Sequence, residues 1–283
     1  MEVGPIKITL TEELTLRIRP QLMSSSRQKL EVGGWNYSIC SPFWRIYVNH
    51  QAGAFIDTDG GRLYLPPGVV CVVPAWVQFR TGISTPVMHD FLHFDLPSLV
   101  PHAVRRWFDR PMLLDDRQPL NCLCRCWREA LDIRETAPLL SYAWARTLMD
   151  GVVATLLENM GLEARSECLR WLEAVGGMAP AMSAIEHRIS DPPTNAELAK
   201  LCGFSTGYFV RRFAAEVGQT PARYGLERRL IAAAGQLSDS ELRIEEIADN
   251  CGFPDRYYFS RAFKANQGVS PAAYRRMHRA GDQ

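Results

Sequence analysis

Glu197-Leu198-Ala199, Cys202-Gly203-Phe204, Phe209, Phe213, Gly218, Pro221 and Tyr224 recur downstream as Glu246-Ile247-Ala248, Cys251-Gly252-Phe253, Phe259, Phe263, Gly268, Pro271 and Tyr274. The first part is offset by 49 residues and the part from Phe213 and Phe263 onward by 50, so one extra residue follows Gly252-Phe253. Self-similarity at a near-fixed period marks a supersecondary unit used twice. Each copy has the grammar of a helix-turn-helix. Thr194-Asn195-Ala196-Glu197 is a capping box opening a helix, and the second copy has no such box before Glu246. Gly203 and Gly252 end that helix and turn the chain. Ser205 and Asp255 can cap the helix that follows.

On that second helix Phe209, Phe213 and Val217, like Phe259 and Phe263, recur at four-residue steps and face a core. Thr206, Gly207, Val210 and Arg211 are left outward in copy one, and Arg256, Tyr257, Ser260 and Arg261 in copy two. A helix of this diameter fits the major groove of double-stranded DNA, where its N-terminal residues meet base edges and its basic residues meet phosphates. An ordinary helical hairpin accounts for the apolar spacing but not for the outward arginines. Bulk charge would not have found this. The chain carries a net +1, and residues 186–283 hold 14 Lys/Arg against 12 Asp/Glu, so position carries the signal.

At these residues the sequence resembles the AraC/XylS family of bacterial transcription regulators, densely over about 186–278. The most specific stretches are Ile244-Glu245-Glu246-Ile247-Ala248, Gly252-Phe253, Tyr258-Phe259-Ser260-Arg261, Phe263-Lys264, Gly268-Val269-Ser270-Pro271 and Tyr274-Arg275. Pro221, Tyr224, Arg228, Leu230, Ala233 and Leu237 fit the family's connecting helix. The resemblance implies two helix-turn-helix units, at about 195–217 and 244–267, docked on one face of operator DNA. Its groove-facing positions fall on Gly207, Val210 and Arg211, and on Arg256, Tyr257, Tyr258, Ser260 and Arg261. Gly207 and Val210 are poor hydrogen-bonding readers, so the first unit is expected to read shape or a thymine methyl.

Upstream, Trp35–Cys40, Phe43–Val48, Arg62–Leu65, Val69–Val73 and Val87–Phe94 read as short strands between Gly, Pro, Asn and Asp turns. Leu65-Pro66-Pro67-Gly68, Val72-Val73-Pro74-Ala75 and Leu92-His93-Phe94 resemble the family's cupin-like effector domain. The fold class expected is therefore α+β. A cupin-like β-barrel over 1–96 holds a small-molecule effector, a helical dimerisation segment covers 97–185, and an all-α DNA-binding domain covers 186–283. Phe43–Val48 alternates, with Trp44, Ile46 and Val48 on one face and Phe43, Arg45 and Tyr47 on the other. One of these faces lines the interior. Trp44, Ile46, Phe91 and His93 are the candidate effector-binding residues.

Leu140, Trp144, Leu148 and Val152 share a helix face and are candidates for the apolar seam of a homodimer. Further helices are expected over 167–175, broken by Gly176-Gly177, and over 182–189, before the boundary at Pro192-Pro193. Two groups invite a metal. His89, Phe91, His93 and Asp95 share one face of an expected strand and His93-Phe94-Asp95 has the His-x-Asp form, but the His-x-His pair of an active cupin is absent. Cys122 and Cys126 share a helical face from which Cys124 points away. No cofactor, metal or catalytic residue is expected; a cysteine-acceptor repair protein would need four front-domain cysteines, and only Cys40 and Cys71 precede Cys122. Met1-Glu2-Val3-Gly4-Pro5 has no signal pattern, the longest apolar stretch, Gly68–Val77, is short and holds Pro74, and eight scattered cysteines suit reduced thiols. A cytoplasmic, effector-responsive activator that meets DNA and RNA polymerase is the resulting expectation, with a protein-binding helical adaptor as its rival.

Overall fold

The computed structural model describes residues 19–279 apart from 98, 100 and 115–117, so Met1–Pro5 lies outside the described residues. Strands β1 (Gln21–Leu30), β3 (Trp44–Asn49), β6 (Val70–Val73), β8 (Val87–Asp95) and β9 (Met112–Leu114) form one sheet in the order β1-β8-β3-β6-β9. A second sheet has the order β2-β7-β4-β5, from β2 (Ser38–Ile39), β4 (Ala54–Thr58), β5 (Gly61–Tyr64) and β7 (Phe79–Ile83). All these strand pairs are antiparallel. Among the described residues no ladder joins the two sheets, so the closed barrel of the sequence expectation is replaced by two sheets facing one another. Ile39, Tyr47, Ile56, Cys71, Phe79 and Phe91 fill the space between them.

The other face of the five-stranded sheet is covered by helices. These are α1 (Pro101–Trp107), α2 (Gln118–Asp132), α3 (Pro138–Asn159) and α4 (Leu162–Val175), followed by a 3-10 turn at Gly176–Met178 and α5 (Ala179–His187). Trp44, Ile46, Val72, Leu92 and Phe94 pack there against Trp127, Leu148 and Val152. A sheet buried on both faces needs near-continuous apolar strands, which is how β3 and β6 read.

Two expectations are corrected by this layer. Trp44 and Ile46 do not face the interior between the sheets. Trp44 stacks on Phe94 at 6.1 Å and meets the edge of Phe108 at 5.3 Å, under the helices. Leu148 and Val152, expected at a dimer seam, have no exposed surface because they cover the chain's own sheet. Trp144 packs partly against the same core, and only Leu140 of that stripe remains exposed.

Strand β1 has little β propensity, with Ser24, Ser25 and Ser26 in its middle. It pairs along the whole of β8, and its hydroxyls find partners: Ser24 lies 3.3 Å from His93 Nδ1, while Ser25 and Ser26 accept from Trp127 Nε1 and Arg134 Nη1. A second polar tie lies beside it. Asp90, wholly buried, accepts from Arg27 and Arg128 and lies 2.8 Å from His50 Nε2, and burial's upward push on its pKa is outweighed by these partners, leaving it lowered.

The remaining helices are α6 (Asn195–Leu201), α7 (Thr206–Val217), α8 (Pro221–Asp239), α9 (Ile244–Asn250), α10 (Arg256–Gln267) and α11 (Pro271–Arg279). Two of the contacts that fasten them to the sheets are between polar groups. Arg228 of α8 forms an ion pair with Asp95 at the end of β8, both groups almost free of solvent. Burial pulls the arginine's pKa down, but Asp95, Tyr224 and Glu186 outweigh it and hold the guanidinium charged. In the second, Ser41 Oγ donates to Gln267 Oε1, and the next residue, Gly268, sits at φ +77° against β2. A Cβ on Gly268 would stand 2.0 Å from the Ser38 carbonyl oxygen, so only glycine fits. Met23 and Phe43 of the sheet domain complete this contact by entering the core of the last helices.

Removing one partner of a buried ion pair strands the other, at a cost of about 3–5 kcal/mol. Arg228→Met is expected to lower unfolding stability by that order in a urea titration, and Asp95→Leu added to it to restore most of the loss. A double variant as unstable as the single one would show that stranded charge is not the cause.

Candidate nucleic-acid interface and interdomain cavity

Each helix-turn-helix is built from its own small core. In the first unit Leu198, Ala199, Phe209, Phe213 and Val217 pack with Tyr224 of α8 and with Ala181, Met182 and Ile185 of α5. Helix α5 therefore belongs to this packing, although the sequence expectation put it with the upstream helices. In the second unit Ile247, Ala248, Phe259, Phe263 and Tyr274 pack with Leu230, Ala233, Ala234 and Leu237 of α8. One helix thus serves both cores, which fixes the two units relative to each other.

The turns carry local signals seen in the sequence. Thr194 Oγ1 accepts from the Glu197 amide at 3.3 Å, and the Glu197 carboxylate accepts from the Thr194 amide at 2.7 Å. These Thr194 bonds, with Arg188, bring the Glu197 pKa down to about 2. In the second unit Glu246 accepts from the Arg243 amide at 2.6 Å; an arginine side chain cannot accept in return, so half a box forms. Gly252 turns the chain at φ +68°, where a Cβ would stand 2.7 Å from the Ile189 carbonyl oxygen. Asp255 caps α10 through Tyr257 N and Tyr258 N, both at 2.7 Å. Ser205 stands at the N-cap of α7 but makes no such bond. The extra residue of the second copy is Pro254, which lengthens the turn before Asp255.

The candidate readers lie where the repeat puts them. Phe209 and Phe213, and Phe259 and Phe263, are buried, while Thr206, Gly207, Arg211, Arg256, Tyr257, Tyr258 and Arg261 are exposed and Val210 and Ser260 half-buried. Tyr257 is 70% exposed, with the Arg256 guanidinium 5.4 Å from its ring centre. Arg211 and Arg261 stand two residues before equivalent core phenylalanines, and neither has a carboxylate partner among the described residues. Arg256 differs, because its Nη1 is paired with the Glu245 carboxylate. Arg212 is likewise tied to Glu216 at 2.6 Å and lies over Phe204.

A cavity of about 400 Å³ opens where the second unit meets the sheets. Arg45, Tyr47, His89, Phe91 and His93 line it from β3 and β8, and Gln267, Val269 and Tyr274 from the helical domain. Two of the four expected effector residues, Phe91 and His93, are therefore on this wall, and Trp44 and Ile46 are on the opposite face of their strand. Sequence reasoning missed Arg45 and Tyr47 as effector-binding candidates, although the alternation of Phe43–Val48 sets them on one face, and it considered His89 only as a metal ligand. Burial pushes the Tyr47 phenol up to about 12 and His89 down to about 3, so both stay neutral. His89 Nδ1 lies 2.8 Å from Asn49 Oδ1. Asp95, the carboxylate of the His-x-Asp motif, is spent on Arg228. On α2, Cys124 is buried while Cys122 is exposed, the opposed faces that helical spacing requires.

A helix-turn-helix domain family matches residues 198–277. Regulatory protein SoxS of Salmonella typhimurium is 34% identical over 91 residues, which are 32% of this chain and 85% of SoxS. The MmsAB operon regulatory protein of Pseudomonas aeruginosa is 36% identical over 85 residues, 30% of this chain. The chain spans about a third of the length of the curated relatives it matches first: 28% of that protein, and 36% of the transcriptional regulator AlkR of Acinetobacter baylyi. ToxT of Vibrio cholerae O395 shares the fold over 90% of this chain and 97% of its own, with a TM-score of 0.59 at 11% identity. The chain belongs to the AraC family of transcription regulators and carries its DNA-binding helix-turn-helix domain.

If Arg261 reads a guanine edge, Arg261→Ala is expected to cost about 1–3 kcal/mol of operator binding and to relax preference at one base pair. Arg211, beside Gly207 and Val210, is expected to act on phosphate. Arg211→Ala then weakens all sequences alike and lowers the salt slope by roughly one ion. Fluorescence anisotropy against a randomised site library at several salt concentrations separates the two effects; base relaxation in Arg211→Ala alone would reverse the assignment.

Proposed function

We propose that this chain is a sequence-specific, effector-responsive transcription activator, without enzymatic activity, that acts in the cytoplasm on promoter DNA in concert with RNA polymerase. The observation that carries the reading is the shared wall of the cavity. A small molecule held there touches the sheet domain and the second helix-turn-helix at once, so its binding energy can differ between two placements of that unit. ToxT, which has this fold, has been solved with an unsaturated fatty acid bound, and that supports a small-molecule effector for this chain. The absence of a helix long and apolar enough to cross a membrane among the described residues agrees with action on DNA in solution.

DNA that co-purifies with the tagged chain from cells of its source, when sequenced, is expected to fall into a small set of promoter regions sharing one motif. Recovery of DNA without a common motif would contradict sequence-specific regulation.

We further propose a homodimer through the start of α3, where Leu139 and Leu140 are 85% and 48% exposed and Tyr142 also faces solvent. Leu140→Asp is expected to lower the sedimentation coefficient to the monomer value with the circular dichroism unchanged. An unaltered sedimentation coefficient would place the contact elsewhere.

A further inference from the structure

The cavity contains a charge that no carboxylate among the described residues balances. Arg45 is 3% exposed and lies on the interior face of β3, opposite His93 of β8. Its guanidinium donates to the Phe43 carbonyl at 3.5 Å and to Ser41 Oγ at 2.5 Å, both neutral acceptors. Its guanidinium carbon lies 4.3 Å from the Phe43 ring centre and 5.5 Å from that of Phe79. No carboxylate pairs with it among the described residues. The other deeply buried guanidinium, Arg228, shows the usual arrangement, with Asp95 against it. A buried cation without a counter-ion is costly, and ring faces offset only part of that cost. An anion brought in from outside would supply what the fold leaves out.

The rest of the wall says what kind of anion. Leu30, Trp35, Ile39, Phe91 and Val269 make most of the surface apolar, and His89 and Tyr47 are held neutral. The charged groups of the mouth do not add a second free cation next to Arg45 on the sheet side, because Lys29 is paired with Glu31 at 2.7 Å; Arg276 enters from α11. Inorganic phosphate would bring more charge than Arg45 neutralises and would leave the apolar wall uncovered. A neutral apolar molecule would leave the guanidinium stranded. The volume, about 400 Å³, suits an organic molecule of modest size.

We propose that the cavity binds an apolar monocarboxylate anchored by Arg45, and that its occupancy reaches the second helix-turn-helix through Arg45, Ser41 and Gln267; this rests on the cavity being the effector site. Arg45 Nη2 donates to Ser41 Oγ, and Ser41 Oγ donates to Gln267 Oε1. Gln267 is the last residue of the recognition helix α10 and is buried. A carboxylate accepting from the guanidinium competes with Ser41 for the same donors. The hydroxyl that holds the end of α10 then changes its own bonding, and the helix end is released or re-seated accordingly.

Calorimetry on the full chain tests the first half with two matched pairs, benzoate against benzamide and decanoate against decanamide. At least one carboxylate is expected to bind roughly 10- to 100-fold more tightly than its amide, the range of a hydrogen bond to a charged group. The better of the two pairs identifies the body as aromatic ring or chain. Arg45→Met is expected to abolish the preference while the amide still binds. Equal binding within both pairs, no binding of any probe, or a preference that survives in Arg45→Met would overturn the site. Should Arg45→Met fail to fold, the comparison in the wild-type chain decides alone.

The relay is read from operator affinity with and without the preferred carboxylate. Ser41→Ala is expected to keep carboxylate binding within a few-fold and to lose the shift in DNA affinity. A full shift in that variant would overturn the relay. A chain that prefers the carboxylate but binds no DNA supports the site and refutes the regulator, whereas one that binds its operator without any carboxylate preference does the reverse.

Discussion

The contact between Arg228 and Asp95 is where the two halves of the molecule become one. It joins the middle of α8, the helix that both DNA-binding units share, to the last residue of β8, the strand that lines the cavity. A pair this far from water contributes little net stability over a well-packed apolar pair, because desolvation offsets most of the attraction. What it supplies is a fixed position. Slipping α8 along the sheet edge would separate two buried charges, which costs far more than sliding one apolar surface over another. The position of α8 in turn sets both recognition helices.

The sheets make this arrangement useful. Because helices α1–α4 take one face of the five-stranded sheet, only the inner face is left for a ligand, and strand alternation sends Arg45, Tyr47, His89, Phe91 and His93 there together. The second unit closes the open side of that space with the end of α10 and the start of α11. If the cavity holds the proposed effector, no separate signalling path to the DNA-reading unit is needed, because a single wall belongs to both. Gly268, held against the Ser38 carbonyl, brings the two backbones close enough for this.

The repeat was legible because its grammar is local. Four-residue phenylalanine steps, a glycine at each turn and a box at Thr194 need only neighbouring residues to take effect, and Pro254 accounts for the one-residue change of offset. The strands were half legible. Val69–Val73 and Val87–Phe94 announce themselves by β-branched and aromatic residues, but β1 is a serine-rich strand that exists because β8 pairs with it and because Trp127 and Arg134 bond its hydroxyls. Faces were the hardest to read. Trp44 and Ile46 read as ligand-facing because aromatic and branched residues suit a pocket equally well as a core, and the helical layer that covers them is set by distant sequence. The stripe of Leu148 and Val152 misled for the same reason. The period shows that a helix has an apolar face but not what that face meets. Arg45 carried a usable signal, an arginine within an otherwise apolar strand, whose meaning depends on a missing carboxylate that only three dimensions can reveal.

If α8 sets the two linked units as a rigid pair, they read DNA at one fixed spacing. Hydroxyl-radical footprinting of the full chain on a selected operator tests it most directly. Two protected patches on one face of the duplex are expected, centred about one helical turn, 10–10.5 base pairs, apart. A single patch, or two whose spacing drifts among sites of equal affinity, would contradict the claim that α8 holds the two units as one reading head.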